Sequence, residues 1–190
     1  MNEQNYNDFS FAITKELKGT KTEKNLQEAY AGESKARNNY TFFAEIAKKE
    51  GYETISKIFK ETANNEKEHA KIWLKLLNNG QLKNTIENLQ NAAMTEHYEW
   101  QDMYARFASE AREEGFEEIS CLFETIRKIE KYHMEKYQNV LEKLKDNTLY
   151  KNENQTIWEC ANCGLNIEAK KAPEICPFCR HPQSYFFERK

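Results

Sequence analysis

The stretch Glu66-Lys67-Glu68-His69 sits inside a long helical pattern, and a second copy, Glu130-Lys131-Tyr132-His133, follows 64 residues later. A Glu and a His three apart project from one face of a helix. A carboxylate and an imidazole on one helical face, supplied twice, form the core of a carboxylate-bridged two-metal site. In a four-helix bundle such a site takes one Glu from each of two helices and Glu-x-x-His from each of the other two. Charged residues make up 31% of this chain, so one Glu three residues before a His would carry little weight. The second copy, at a matching place in an internal repeat, decides the reading.

Working outward from the motif, four helices emerge. Thr20 to Glu23 fits a capping box after Gly19, and the first helix then runs to about Glu50. Its apolar stripe carries one carboxylate, Glu33. Gly51 ends it, and the second helix, about Tyr52 to Asn78, holds Glu66 and His69. Asn78-Asn79-Gly80 stops that helix, and Asn84 with Glu87 caps a third that runs to about Glu114 with Glu96 and Glu99. The fourth, about Phe116 to Leu144, holds Glu130 and His133. The second pair repeats the first: at an offset of 64 the identities include Tyr40/Tyr104, Phe43/Phe107, Ala44/Ala108, Gly51/Gly115, Ser56/Ser120, Phe59/Phe123 and Glu66/Glu130. Glu33 maps onto His97, next to Glu96, so the match slips by one residue there.

Helix rise tests whether these groups can meet. Glu33 lies roughly 27 Å before Gly51 and Glu66 roughly 22 Å after it; Glu96 and Glu99 lie roughly 28 and 24 Å before Gly115, and Glu130 roughly 22 Å after it. Within each hairpin the acids stand at nearly one height. Two hairpins packed face to face bring up to five carboxylates and two imidazoles together, at a severe cost of burial unless cations compensate. Carboxylate with imidazole suits iron or manganese, and zinc less specifically.

At 190 residues there is room for one sizeable domain and a small appendage. A net charge of −3 with mixed signs offers no footprint for nucleic acid. No run of 18 apolar residues exists for a membrane span, and Met1 to Ser10 has no signal-peptide pattern, so a cytoplasmic location is expected. Residues 1–19 read as an N-terminal extension, short helix or loose arm, followed by the bundle (20–145), a polar linker (146–155) and a four-cysteine module (156–190). In that module Cys160-x-x-Cys163 and Cys176-x-x-Cys179 have the spacing of a tetrahedral metal site. About 40 residues bury little core, so the metal supplies much of the stability. The spacing alone leaves zinc and iron open. The fifth cysteine, Cys121, reads as a small core residue.

With Glu33, Glu66-x-x-His69, Glu96-x-x-Glu99, Glu130-x-x-His133 and two Cys-x-x-Cys knuckles, the chain resembles the rubrerythrin family. Local matches include Ala31-Gly32-Glu33-Ser34, Tyr98-Glu99-Trp100 and His181-Pro182-Gln183. The resemblance implies an all-α, ferritin-like four-helix bundle with an oxo- and carboxylate-bridged non-haem di-iron centre. It implies a rubredoxin-like β/loop module with one iron in the four-cysteine site, which favours iron over zinc there. It also implies a peroxidase that reduces hydrogen peroxide in oxidative stress defence. Glu66 and Glu130 would bridge the irons, Glu33 would bind one, and Glu96 with His133 the other. Glu99 and His69 would exchange at the first iron on change of redox state. Tyr40 and Tyr104 would hydrogen-bond ligand carboxylates. Leu165 stands where an aromatic residue is more usual.

No dinucleotide fingerprint is present, so electrons from NAD(P)H need an external reductase or rubredoxin. In the crossover topology that the resemblance implies, the connector between the second and third helices would climb roughly 30 Å, whereas residues 79–84 span about 20 Å when extended. A homodimer with swapped helix pairs is therefore expected. The competing reading is an iron-storage or ferroxidase bundle whose knuckles hold only structural metal.

Overall fold

The computed structural model describes residues 11–189, so most of the expected N-terminal extension, residues 1–10, lies outside it. The chain divides into two compact units, residues 1–83 and 84–190.

The first unit is a helical hairpin of α1 (Lys21–Lys49) and α2 (Glu53–Leu77). Thr20 caps α1 by accepting a hydrogen bond from the Glu23 N–H at 3.0 Å. The Glu23 carboxylate reaches back one residue further than a capping box requires, to the Gly19 N–H at 2.7 Å. Where the two helices cross, the residues are small: Ala44 is wholly buried, and the Ser56 hydroxyl donates to its carbonyl at 2.8 Å. Residues 11–17 are not helical. The arm is held at its Phe11 N–H, which donates to the Gly80 carbonyl at 3.0 Å. Gly80 has φ +93°, and a Cβ there would collide with the Phe11 carbonyl, so both the turn and the close approach require glycine.

The second unit begins with α3 (Thr85–Tyr98), capped by a full Asn84–Glu87 box. The single long third helix expected here is interrupted. A π-helical turn, Glu99–Met103, separates α3 from α4 (Tyr104–Glu113) before α5 (Glu117–Lys145) returns. The repeat explains the interruption. Before the turn the two halves match at an offset of 63 residues, with identities Asn25/Asn88, Leu26/Leu89, Gln27/Gln90, Ala29/Ala92 and Glu33/Glu96. From Tyr40/Tyr104 onward the offset is 64. One extra residue has entered the second half, and a π turn accommodates one residue without breaking the rod. Beyond it the first hairpin is reproduced: Ser120 donates to the Ala108 carbonyl at 2.7 Å, both residues fully buried.

A three-stranded antiparallel sheet of order β2-β1-β3 ends the chain, from β1 (Lys151–Cys160), β2 (Asn166–Lys171) and β3 (Phe186–Arg189). β1 begins inside the stretch expected to be linker. Residues 151–155 are polar because they lie largely exposed beside a register shift between Lys151 and Thr156, so their composition resembles that of a linker. The core of the module is Trp158, Cys160, Ala172, Cys176 and Phe186, and the Trp158 indole donates to the Ala169 carbonyl at 3.0 Å.

Candidate metal centres

Each helical unit gathers one three-ligand cluster. In the first, Glu33 from α1 meets Glu66 and His69 from α2, with ligand atoms within 4.8 Å of one another. His69 Nδ1 lies 2.8 Å from Glu66 and 3.8 Å from Glu33. In the second, Glu96 from α3 meets Glu130 and His133 from α5. His133 Nδ1 lies 2.7 Å from Glu130 and 3.8 Å from Glu96. The two clusters match residue for residue in composition and spacing, and Glu33 corresponds to Glu96, not to the His97 on which the 64-residue offset places it. His97 instead sets its Nδ1 3.4 Å from the Met134 sulfur.

Glu99 opens the π turn and has no acidic counterpart in the first unit, where the matching positions are Lys35 and Ala36. It stands close enough to the second cluster to share its electrostatics. Burial and then Glu130 raise the Glu99 carboxyl above its ordinary value. Burial first, then Glu130 and Glu99, raise Glu96, against a smaller opposing effect of His133. Burial and the charges of Glu99, Glu130 and Glu96 hold the Tyr104 phenol protonated. Each carboxylate makes its neighbours harder to ionise, and a bound cation reverses that sign for all of them.

Tyr40 stacks 6.2 Å from Phe59, and Tyr104 packs 6.0 Å from Phe123. Among the described residues neither hydroxyl hydrogen-bonds a ligand carboxylate, so within the chain these two pack as members of aromatic clusters.

The four thiols converge as the spacing predicts. Cys160 and Cys179 Sγ are 3.6 Å apart, and Cys163 and Cys176 are 3.8 Å apart. Metal–sulfur bonds of about 2.3 Å at tetrahedral angles require edges of about 3.8 Å; a disulfide would require about 2.05 Å. The site fits a single tetrahedral ion. The knuckles are near copies. Gly164 N–H donates to the Cys160 carbonyl at 2.8 Å, and Arg180 N–H to Cys176 at 3.0 Å. The Leu165 N–H turns to the Cys163 sulfur and the His181 N–H to Cys179. The His181 N–H, helped by hydrogen bonds from the other three cysteines and opposed by burial, lowers Cys179 to about 5. At Cys163 the Leu165 N–H is the largest influence and favours the thiolate, but burial and the other three cysteines outweigh it and push the thiol up to about 12. The four sulfurs cannot all ionise against one another, so a bound cation, by displacing the protons, completes the site. Cys121 is exposed and stands apart from the cluster, so it is not the core residue expected.

Two features of the site escaped sequence reading, the π turn and the left-handed Arg180 (φ +64°). The first left a signal, the one-residue slip in the repeat. The second left none, because arginine does not announce a positive φ.

A family model described as rubrerythrin matches residues 24–141, and one described as the rubrerythrin rubredoxin-like domain matches residues 158–187. The chain is 47% identical over 185 residues to a rubrerythrin of Porphyromonas gingivalis, covering 92% of each chain. It is 43% identical over 183 residues to a rubrerythrin of Nitratidesulfovibrio vulgaris, covering 90% of this chain and 96% of that one. A solved mixed-valence nigerythrin aligns over 100% of this chain and 96% of its own at 27% identity, with a TM-score of 0.34.

Proposed function

The chain belongs to the rubrerythrin family, and from that premise we propose that it is a non-haem di-iron peroxidase that reduces hydrogen peroxide to water. The family's two domains carry a di-iron centre and one iron in a four-cysteine site, and both donor sets are present in this chain. When bound, the iron pair supplies the two electrons that cleave the O–O bond, and the thiolate iron returns electrons singly. The residues do the rest. Glu66 and Glu130 would serve as the shared carboxylates of the iron pair, and each holds its own imidazole within 3 Å. Glu33 would hold one iron, Glu96 and His133 the other, and Glu99 and His69 would be the alternative ligands of the first. Tyr104 stands near the second cluster, where burial and the neighbouring carboxylates raise its phenol above the ordinary value; a hydrogen bond from its O–H to a ligand carboxylate would form only in the metal-loaded site.

The observation that carries this reading is the coexistence in one chain of two matched Glu/Glu/His clusters and a tetrahedral thiol cluster. A storage protein has no use for a one-electron thiolate iron. The donor is an external rubredoxin or an NAD(P)H-linked reductase. Among the described residues no helix is long and apolar enough to cross a membrane, and a cytoplasmic role in oxidative stress defence follows from the peroxidase reading. The partner is a second copy of the chain. A two-helix hairpin buries mainly alanines and a serine, and leaves Phe42, Phe43, Ile46 and Ile55 more than 40% exposed. The short 78–84 connector favours pairing by exchange of helix pairs.

Metal analysis with anaerobic peroxide titration tests the reading. About two irons per bundle and one per four-cysteine module are expected, with each peroxide consuming two electrons. Zinc in the knuckles, or no peroxide consumption by the reduced protein, would sink it.

A further inference from the structure

In an α-helix the Tyr104 N–H would bond the Trp100 carbonyl, four residues back. In the π turn it bonds the Glu99 carbonyl instead. The Trp100 carbonyl thus loses its helical donor in the turn that presents Glu99. A side chain from α5 replaces that donor: Arg127 Nε donates to the Trp100 carbonyl at 2.9 Å. On the same face Lys131 lies 5.3 Å from the centre of the Trp100 ring, so α5 holds both the backbone and the side chain of this residue.

The first hairpin serves as an internal control. It has the same latch serine, the same aromatic trio and the same Glu-Lys-x-His, but no π turn. At the position matching Arg127, 64 residues earlier, it has Ala63, which is buried. The half that needs a carbonyl partner has an arginine, and the half that does not has an alanine. The ion pair of Arg127 with Glu124 is long, at 3.5 Å, and lies one turn away on the same helix, so it does not account for the reach to Trp100.

We propose that Arg127 is a positioning residue. It clamps the π turn through the Trp100 carbonyl and so fixes where Glu99 is presented to the metal cluster. The consequence for turnover rests on the peroxidase reading; the clamp itself does not.

The test compares wild type with two variants of equal length. Arg127→Met keeps the stem without a donor. Arg127→Gln places an N–H donor the same number of bonds from the backbone as Arg Nε, without the charge. Hydrogen exchange is measured on the full-length protein as purified, at matched iron content, over residues 99–107, with α1 as the internal reference. Arg127→Met is expected to speed exchange there about fivefold or more, and Arg127→Gln to restore most of the protection. In iron-loaded protein, Arg127→Met is expected to lower the kcat for peroxide several-fold at unchanged iron content. Exchange in Arg127→Met within about twofold of wild type would overturn the clamp. Equal loosening in both variants would overturn it too, by showing that charge or bulk, not the donated hydrogen bond, holds the turn. A wild-type protein that reduced no peroxide would instead remove the functional reading and leave the exchange result standing.

Discussion

Glu99 is the one acid in the site that the repeat does not duplicate, and that asymmetry defines what removing it should do. In Glu99→Ala the carboxylates of Glu33, Glu66, Glu96 and Glu130 and both imidazoles remain, so two irons should still bind. Peroxide turnover should fall by tenfold or more, since on the proposed mechanism the lost group would supply the ligand exchanged between oxidation states, about 1.4 kcal/mol of barrier per tenfold. Iron analysis beside steady-state kinetics checks this, and unchanged kinetics would remove Glu99 from the mechanism. The latch serines make a prediction of a different kind. Ser120 is fully buried and its one donor goes to the Ala108 carbonyl at 2.7 Å. Ser120→Ala should cost about 1 kcal/mol in denaturant unfolding with no change in iron content. At this scale much was legible in the sequence. A ligand is a residue type at a spacing, and Glu66-x-x-His69 states both. The latch was visible only as an identity, Ser56/Ser120, because a hydroxyl spanning two helices has no signature in either one alone.

At the scale of elements, the helices were read from periodicity and caps, and their bounds fall within a few residues of expectation. What failed were the places where backbone geometry departs from the rule that a residue's type suggests. The third helix is continuous in its apolar pattern, so periodicity gave no warning of the π turn; only the change of repeat offset from 63 to 64 did. The two knuckles are the sharper case. Both reverse through a left-handed residue, at Gly164 with φ +73° and at Arg180 with φ +64°. Glycine adopts that conformation without strain, whereas a residue with a Cβ pays about 1–2 kcal/mol. Arg180→Gly should therefore stabilise the module by about 0.5–1 kcal/mol, once the extra freedom of glycine in the unfolded chain is subtracted. Thermal unfolding of the metal-loaded protein, followed at the thiolate–metal absorption, measures it. A lower melting temperature in Arg180→Gly would mean that the arginine side chain makes a contact worth more than the strain.

For the whole molecule, the open question is which chains supply one bundle. The seven expected ligands divide between the units: Glu33, Glu66 and His69 lie before residue 84, and Glu96, Glu99, Glu130 and His133 after it. This division allows a complementation test. Glu66→Ala inactivates every site built with its first unit, and Glu130→Ala every site built with its second. Suppose the two variants are unfolded together and refolded as a mixture. If helix pairs are exchanged between chains, a mixed dimer has one bundle carrying both substitutions and one carrying neither. Mixed dimers form half of the population and each has one intact site of two, so the mixture should recover about a quarter of wild-type peroxidase activity. If each bundle is built from one chain, every bundle carries one substitution and the mixture stays as inactive as its parents. Either parent refolded alone is the baseline, and mass spectrometry of the intact dimers confirms that mixing occurred. Recovery near a quarter with mixed dimers present establishes exchange; mixed dimers without recovery exclude it. The physical ground for expecting recovery is the connector: α2 ends at Leu77 and α3 starts at Thr85. The seven residues 78–84 between them reach about 25 Å when extended, short of the roughly 30 Å that a return along one helix would need in the crossover topology expected from the sequence.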